Sequence, residues 1–163
     1  MPISELLLRE FDMEMPNTRK TLERVPAAKW DWKPHPKSGT LGWLAGHVAT
    51  LPNFTITTLQ TPEFEIAGAN FAQPKNPSEL LEQFDSLSKQ ARAALAAATD
   101  AQFAETWTLK WNGNVIFSLP RYNVVRVHCL NHLLHHRAQL TGYFRTLDIP
   151  VPALYGPSAD EQQ

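Results

Sequence analysis

Cysteine is nearly absent from this 163-residue chain: Cys129 is the only one, so no disulfide can form within it. A reducing compartment, the cytoplasm, is therefore the expected location. No apolar run approaches the ~18 residues that a membrane-spanning helix needs, and the first residues lack the basic and apolar regions of a signal peptide. Charges of both signs are scattered and the formal net charge is −1, so no basic patch predicts nucleic-acid binding. These absences favour a cytoplasmic protein with a small-molecule substrate.

Hydrophobic residues make up 43% of the chain and charged residues 19%, which is typical of a globular protein and not of a disordered one. The length fits a single domain that spans residues 1–163, with enough chain to bury a core. No segment repeats at a fixed period, and no shift in composition marks a domain boundary.

Apolar residues recur at spacings of three and four in four stretches, which predicts long helices at about residues 3–25, 40–59, 76–98 and 120–147. Pro16 and Pro52 lie inside the first two stretches and lack the amide N–H that an interior position needs, so a kink is expected at each. The third helix has the clearest start. Asn76 can cap it, Pro77 suits the first helical position and Glu79 completes a capping box.

The hydrophobic period changes over residues 105–118. Trp107, Leu109 and Trp111 alternate with polar residues, and Asn112-Gly113 then precedes the β-prone run 115–117. An Asn-Gly pair between two such runs predicts a hairpin with a tight turn. The expected fold is all-α, a four-helix bundle with this small β-hairpin before the last helix as its only sheet.

Four of the six histidines stand within nine positions of the last predicted helix: His128, His132, His135 and His136. Side chains four residues apart lie on one helix face with Cβ atoms ~5–6 Å apart, which suits two imidazoles that bind one divalent ion. His132 and His136 form such a pair, and so do His128 and His132. All three cannot bind one ion, because His128 and His136 lie ~12 Å apart along the helix axis.

A third ligand is available on the second predicted helix, where His47 lies on the side expected to be buried. Three imidazoles with an open position for water or substrate are typical of a catalytic metal site, whereas structural zinc sites are usually closed by four ligands. The alternative is a hydrogen-bond network without a metal, since buried imidazoles without partners are costly. His35 lies in a proline-rich loop and is expected to be solvated. Cys129 is more typical of a small buried hydrophobe than of a ligand.

Three segments carry a family resemblance. The second helix reads TLGWLAGHVA over residues 40–49, the last helix reads LNHLLHHRAQL over residues 130–140, and the loop between the first two helices contains Trp32-Lys33-Pro34-His35. These segments resemble the DinB family of damage-inducible, YfiT-like metalloenzymes, whose last helix carries asparagine, histidine, two variable residues and then His-His-Arg-Gly-Gln. Ala138 stands where the family commonly has glycine.

The resemblance implies a four-helix bundle in an up-down-down-up order, often dimeric, with metal ligands at His47, His132 and His136. His128 and His135 are not ligands in that picture. Family relatives include isomerases and transferases that use low-molecular-weight thiols such as mycothiol or bacillithiol, whereas many members have no established activity. The expected partners and cofactors are thus a second copy of the chain, a thiol cosubstrate and a divalent ion. Imidazole ligands suit zinc and nickel alike.

Three functional hypotheses remain open from the sequence. The first is a metal-dependent enzyme that transfers a low-molecular-weight thiol to an electrophile, with the ion lowering the pKa of the thiol. Here His128, one turn from His132, is the candidate catalytic base, and a core imidazole is an equally good interpretation of that residue. The second hypothesis keeps the metal and uses bound water for hydrolysis. The third is a non-catalytic metal-binding stress-response protein.

Overall fold

Helices form most of the computed structural model, which describes residues 1–69 and 71–162. The α-helices are α1 (Ile3–Leu22), α2 (Leu41–Thr50), α3 (Pro52–Gln60), α4 (Pro77–Ala97), α5 (Asp100–Ala104), α6 (Arg121–Asn123) and α7 (His132–Thr146). A π-helical segment, Val124–Asn131, joins α6 to α7, and a 3₁₀ turn, Ala27–Lys29, follows α1. The strands are β1 (Glu63–Glu65), β2 (Thr106–Trp111) and β3 (Asn114–Pro120). Among the described residues, no helix combines the length and apolarity that crossing a bilayer requires.

The first two predicted helices are confirmed as helical, with differences near the prolines. α1 continues through Pro16 and ends at Leu22 rather than at Val25. The second predicted helix is in fact two helices, because the chain turns at Leu51 and Pro52 begins α3. A proline has no N–H to donate and its ring clashes with the carbonyl four residues earlier, so it starts a new helix more easily than it continues one. The kink predicted at Pro52 is therefore confirmed, although the break there divides the stretch into two helices; the backbone stays helical at Leu51, with φ −56° and ψ −34°.

α4 begins at the predicted cap. Asn76 Oδ1 accepts the backbone N–H of Glu79 at 3.0 Å, and the Glu79 carboxylate reaches back to the N–H of Lys75 at 2.9 Å. The first bond satisfies a donor that the helix start leaves without an intrahelical partner, and the second ties the residue before the cap to the first turn. The predicted capping box is thus altered, because Glu79 bonds the N–H of Lys75 rather than that of Asn76. The helix then buries Leu80, Phe84 and other apolar side chains, and α1, α2 and α3 all pack against it. The core of the protein is therefore assembled around α4.

The sheet contains the predicted hairpin and one strand more. Asn112 and Gly113 have φ values of 48° and 75°, which is the pair of positive angles that a two-residue hairpin turn needs. β2 and β3 pair antiparallel on either side of that turn, and β1 adds parallel to β2, so the strand order is β1-β2-β3. The prediction that the hairpin is the only sheet is wrong, because Glu63–Glu65, between the second and third predicted helices, adds a third strand. Three residues are too few to show a hydrophobic period.

The last predicted helix is helical over nearly all of its expected length, but it is not a uniform α-helix. Pro120 ends β3, α6 follows it directly, and the chain passes through the π-helical segment before α7. A π-helix closes hydrogen bonds between residues five apart, so its side chains lie at different angles from those of an α-helix. The face expected to carry His128, His132 and His136 together is therefore interrupted just before His132.

A buried ion pair holds α7 against α1. Arg137 Nη2 lies 2.7 Å from Glu14 Oε2, and the exposed fractions of the two side chains are only 3% and 7%. Arg137 Nη1 also donates to the Glu14 carbonyl at 3.2 Å and to Thr18 Oγ1 at 3.0 Å. Tyr155, in the irregular segment after α7, donates its hydroxyl to Glu14 Oε2 at 2.7 Å. Each charge has a partner, so the pair ties α1, α7 and the last segment of the chain together.

Replacing Glu14 by Gln should lower the free energy of unfolding by about 3 kcal/mol, because the Arg137 charge would stay buried without its counter-charge. The matched control is Glu5→Gln, since Glu5 pairs with Arg9 at the surface, where both side chains are about half exposed or more. Losing such a pair costs less than ~1 kcal/mol. Urea unfolding of both variants measures the difference. Equal stabilities would contradict a structural role for the buried pair.

Candidate metal centre

Two packed helices, α2 and α7, bring three histidines to one point. α2 supplies His47, and α7 supplies His132 and His136 at the four-residue spacing that places both on one face. The Nε2 atoms of His47 and His132 lie 3.3 Å apart, and those of His132 and His136 lie 2.9 Å apart. One ring nitrogen of each histidine lies within 4.8 Å of the others, so the three predicted positions do converge and could hold a metal ion.

Hydrogen bonds at the far side of two of these rings orient the imidazoles. His132 Nδ1 lies 3.3 Å from the His128 carbonyl oxygen, and His136 Nδ1 lies 2.7 Å from Gln139 Oε1. Both oxygens accept, so each Nδ1 carries the proton and each Nε2 presents its lone pair to the centre. Metal-binding histidines in proteins usually donate their other N–H to an oxygen in this way.

The electrostatic environment keeps these imidazoles neutral. Burial, together with the neighbouring His136 and His132, lowers the pKa of His47 from 6.5 to about 4. Burial is also the main cause of the lowered pKa of His132 and of His136. The Nε2 atoms of three neutral rings therefore lie at short distance from one another, and those of His132 and His136 present lone pairs. Zn–N bonds of ~2.0–2.1 Å at tetrahedral angles separate two ligand nitrogens by about 3.3 Å, so the residues present fit a divalent ion.

The open side of the cluster faces a pocket of about 220 Å³. His47 and His132 form part of its wall, and the inner side of the sheet contributes Leu109 and Phe117. The chain after β1 closes another side. Gly46 permits this approach, because a Cβ at that position would lie 2.6 Å from Gln73 Oε1. The three histidines therefore stand at the edge of an apolar cavity and not at the open surface.

His128 reaches the same pocket but does not join the three converging nitrogens. Its ring stacks on that of Phe117, with centroids 4.3 Å apart and planes 15° apart, and burial lowers its pKa. His135 is exposed and lies beside Gln139, and His35 is exposed in the loop before α2. These placements agree with the sequence analysis, which left His128 open between a catalytic base and a core imidazole.

Cys129 is a buried hydrophobe, as expected. It is 3% exposed, burial raises the pKa of its thiol to about 12, and its sulfur is not among the ligand atoms that converge with the three histidines. The cysteine therefore has no part in the candidate centre.

Two residues beside the histidines were not assigned a role from the sequence. Trp43 stacks on His47, with ring centroids 5.5 Å apart and planes 5° apart, and Gln139 orients His136. Each lies one helical turn from the histidine that it contacts, so its spacing in the sequence could have predicted that contact. The aromatic wall supplied by Phe117 and Phe54 had no such signal, because those residues come from elements distant in sequence.

Known proteins with a similar sequence or fold include DinB-like proteins. The family model of the DinB superfamily matches residues 10–140. The uncharacterized protein YrdA of Bacillus subtilis (strain 168) is 25% identical over 155 residues, which cover 94% of this chain and 89% of that protein. The crystal structure of a DinB-like protein from Bacillus cereus ATCC 10987 is similar with a TM-score of 0.70 and 21% identity, covering 91% of this chain and 95% of that one. The DinB-like protein YjoA from Bacillus subtilis is similar with a TM-score of 0.73 and 14% identity, covering 97% and 99%.

Proposed function

We propose that this chain, which belongs to the DinB superfamily, is a divalent-metal-dependent enzyme that transfers a low-molecular-weight thiol to a small electrophile. His47, His132 and His136 are the proposed ligands of zinc or nickel. The observation that carries the proposal is the convergence of three neutral Nε2 atoms at the edge of an apolar pocket. Three protein ligands are the usual number in a catalytic zinc site, where a further position is left for water or substrate.

When bound, a divalent ion held by three imidazoles lowers the pKa of a neighbouring thiol, so that a thiolate exists at neutral pH. The chain supplies orientation and shielding. The Nδ1 hydrogen bonds of His132 and His136 hold the two rings in place, and the apolar wall around Phe117 keeps water from the reacting atoms. The transfer forms one carbon–sulfur bond, and the leaving group departs with the electron pair of the bond that breaks.

His128 is the proposed acceptor of the thiol proton, at a nitrogen of its imidazole ring. It lines the pocket together with His132, and stacking on Phe117 holds its ring in one plane. Burial disfavours its charged form, so the ring is neutral near pH 7 and can take up a proton.

We also propose that the helices form the up-down-down-up bundle and that two copies of the chain associate. α4 packs on α1, α2 and α3, and α7 packs on α1 and α2, as expected if the long helices surround one core. Leu6 and Met13, seven residues apart on α1, are both more than half exposed and offer an apolar stripe to a second copy. The cytoplasm remains the proposed location, on the ground of the single reduced cysteine.

The dimer makes a direct prediction. Light scattering at micromolar concentration should give twice the chain mass of 18.4 kDa, and Leu6→Glu should reduce it, because a charge in an apolar interface is costly. Glu5→Gln is the control variant, because it changes only a surface ion pair. Leu8→Glu would not serve as a control, since Leu8 packs against the core. A monomer mass for the unmodified protein would contradict the assembly.

The ligand assignment predicts that protein purified without a histidine tag contains about one divalent ion per chain, measured by elemental analysis. His47→Ala and His136→Ala should each abolish stoichiometric binding, because two imidazoles alone hold an ion weakly. His35→Ala is the matched control, since His35 is exposed and lies outside the cluster. If either ligand variant retains its full metal content, the assignment is wrong.

The open position predicts a spectroscopic response. Added thiol should perturb the absorption spectrum of the cobalt-substituted protein, with a charge-transfer band if sulfur binds directly. His128→Ala should leave that band intact and slow conjugation of the thiol to an electrophile by about 100-fold or more, because only the proton acceptor is removed. A response to azide but not to thiols would favour a hydrolase. A spectrum that ignores thiols, azide and other small ligands would indicate a closed site and a non-catalytic metal-binding protein.

A further inference from the structure

The pocket beside the histidine cluster is lined mostly by apolar side chains, together with His47, His128 and His132. Among the described residues that line it, none is Lys, Arg, Asp or Glu. The walls are built from α3, the segment after β1 and the inner side of the sheet, which contribute Phe54, Ile66, Leu109 and Phe117. A charged group placed against such walls would lose its hydration without gaining a counter-charge, which is costly. The ligand of this pocket is therefore neutral where it contacts the walls.

A donor group of each of the two uncharged polar side chains in the wall is directed to a backbone carbonyl. The Thr50 hydroxyl donates to the Gly46 carbonyl at 3.0 Å, inside its own helix. The Gln73 side-chain N–H is directed to the Phe71 carbonyl at 3.5 Å. Apart from Gln73 Oε1, polar recognition in this pocket is thus left mainly to the imidazoles that line it. A ligand would direct its polar or reactive atom to the histidines and its apolar part to the walls.

The aromatic side chains of the wall are held in position from behind by one residue. Trp107 is fully buried, and its ring meets Phe54 edge to face, with centroids 5.4 Å apart and planes 88° apart. Its centroid also lies 6.2 Å from that of Phe117, with planes tilted by 44°. Two phenyl rings fixed in this way offer a pre-formed contact surface for another flat ring.

The volume sets how much of a ligand the pocket can enclose. A cavity of ~150 Å³ engineered in another protein binds benzene, so about 220 Å³ accommodates roughly nine non-hydrogen atoms. That is a single aromatic ring with a short substituent. The sugar or peptide portion of a low-molecular-weight thiol is larger and more polar, and it does not match this space.

We propose that the pocket binds the electrophilic partner as a neutral, monocyclic aromatic molecule whose reactive substituent points to the histidines. The inference rests on the proposed function for the direction of the substituent, since the histidine end is taken as the place of reaction. The shape and charge selectivity of the pocket belong to its walls and are independent of a bound ion.

Three isosteric probes separate charge from shape: acetophenone is neutral, benzoate is an anion and benzamidinium is a cation. Each is titrated by calorimetry into the full-length protein, as purified and after treatment with a chelator. Acetophenone should bind the chelated protein at least about tenfold more tightly than either ion, because the ions lose hydration in the pocket. Equal affinities for the three probes, or no binding of acetophenone, would overturn the proposal.

Two substitutions of isoleucine by tryptophan, one inside the pocket and one outside it, test where acetophenone binds. Ile66→Trp fills the pocket and should weaken acetophenone binding at least about tenfold, because the space for the ring is lost. Ile116→Trp makes the same change at a position that is 53% exposed and outside the pocket, and it should bind like the unmodified protein. Leu109→Phe serves as a second pocket-filling variant, and circular dichroism checks that each variant is folded. Binding that survives both filling variants would overturn the assignment.

Failure of the proposed function has a different outcome. If the protein holds no metal, or conjugates no thiol, and the chelated protein still selects acetophenone through Ile66, the binding inference stands and the enzymatic proposal falls. If the protein holds a stoichiometric metal and conjugates a thiol but the probes do not bind, the enzymatic proposal stands and the binding inference falls.

Discussion

The buried ion pair between Arg137 and Glu14 is the constraint on which the position of α7 depends. Separating the two charges would leave one of them in the core, which costs far more than the loss of a surface contact. An α-helix turns about 100° per residue, so fixing Arg137 toward α1 also fixes His132 and His136 toward α2. A rotation of α7 that moved the imidazoles away from His47 would also break the ion pair. The same contact therefore stabilises the core and the geometry of the site.

The arrangement of protons favours an ion over a hydrogen-bond network among the histidines. A network would need a donor in each Nε2···Nε2 contact. With Nδ1 of His132 and of His136 donating to oxygens, only His47 Nε2 could donate, and the 2.9 Å contact between His132 and His136 would have no donor. Burial also makes protonation of His47 unfavourable near neutral pH. Each of these features is unfavourable in a protein without a metal and favourable around a cation. They support the proposed ligand set on grounds that do not depend on the family.

Much of the site could be predicted from the sequence because its signals are local. The four-residue spacing of His132 and His136, the apolar setting of His47 and the Asn112-Gly113 turn each act within one helix or hairpin, where geometry follows from position. β1 could not be found in this way, because its pairing with β2 joins segments more than 40 residues apart. The π-helical segment could not be predicted either. Its sequence shows the same apolar spacing as an α-helix, and only the backbone hydrogen bonds distinguish the two.

The π-helical segment and the sheet together decide what kind of chemistry the histidines can serve. A π-helical stretch is rare and is often found at functional sites, and here it ends immediately before His132, with His128 turned to the ring of Phe117. Because the walls are apolar and the proposed ligands are three neutral imidazoles, the positive charge of an ion would find no counter-charge in the pocket wall. In a medium of low dielectric constant that charge acts strongly on whatever enters. An anion formed in place, such as a thiolate, is stabilised there more than any neutral ligand. In the proposed reaction, the apolar wall that selects the substrate would thus also strengthen the effect of the ion on the thiol.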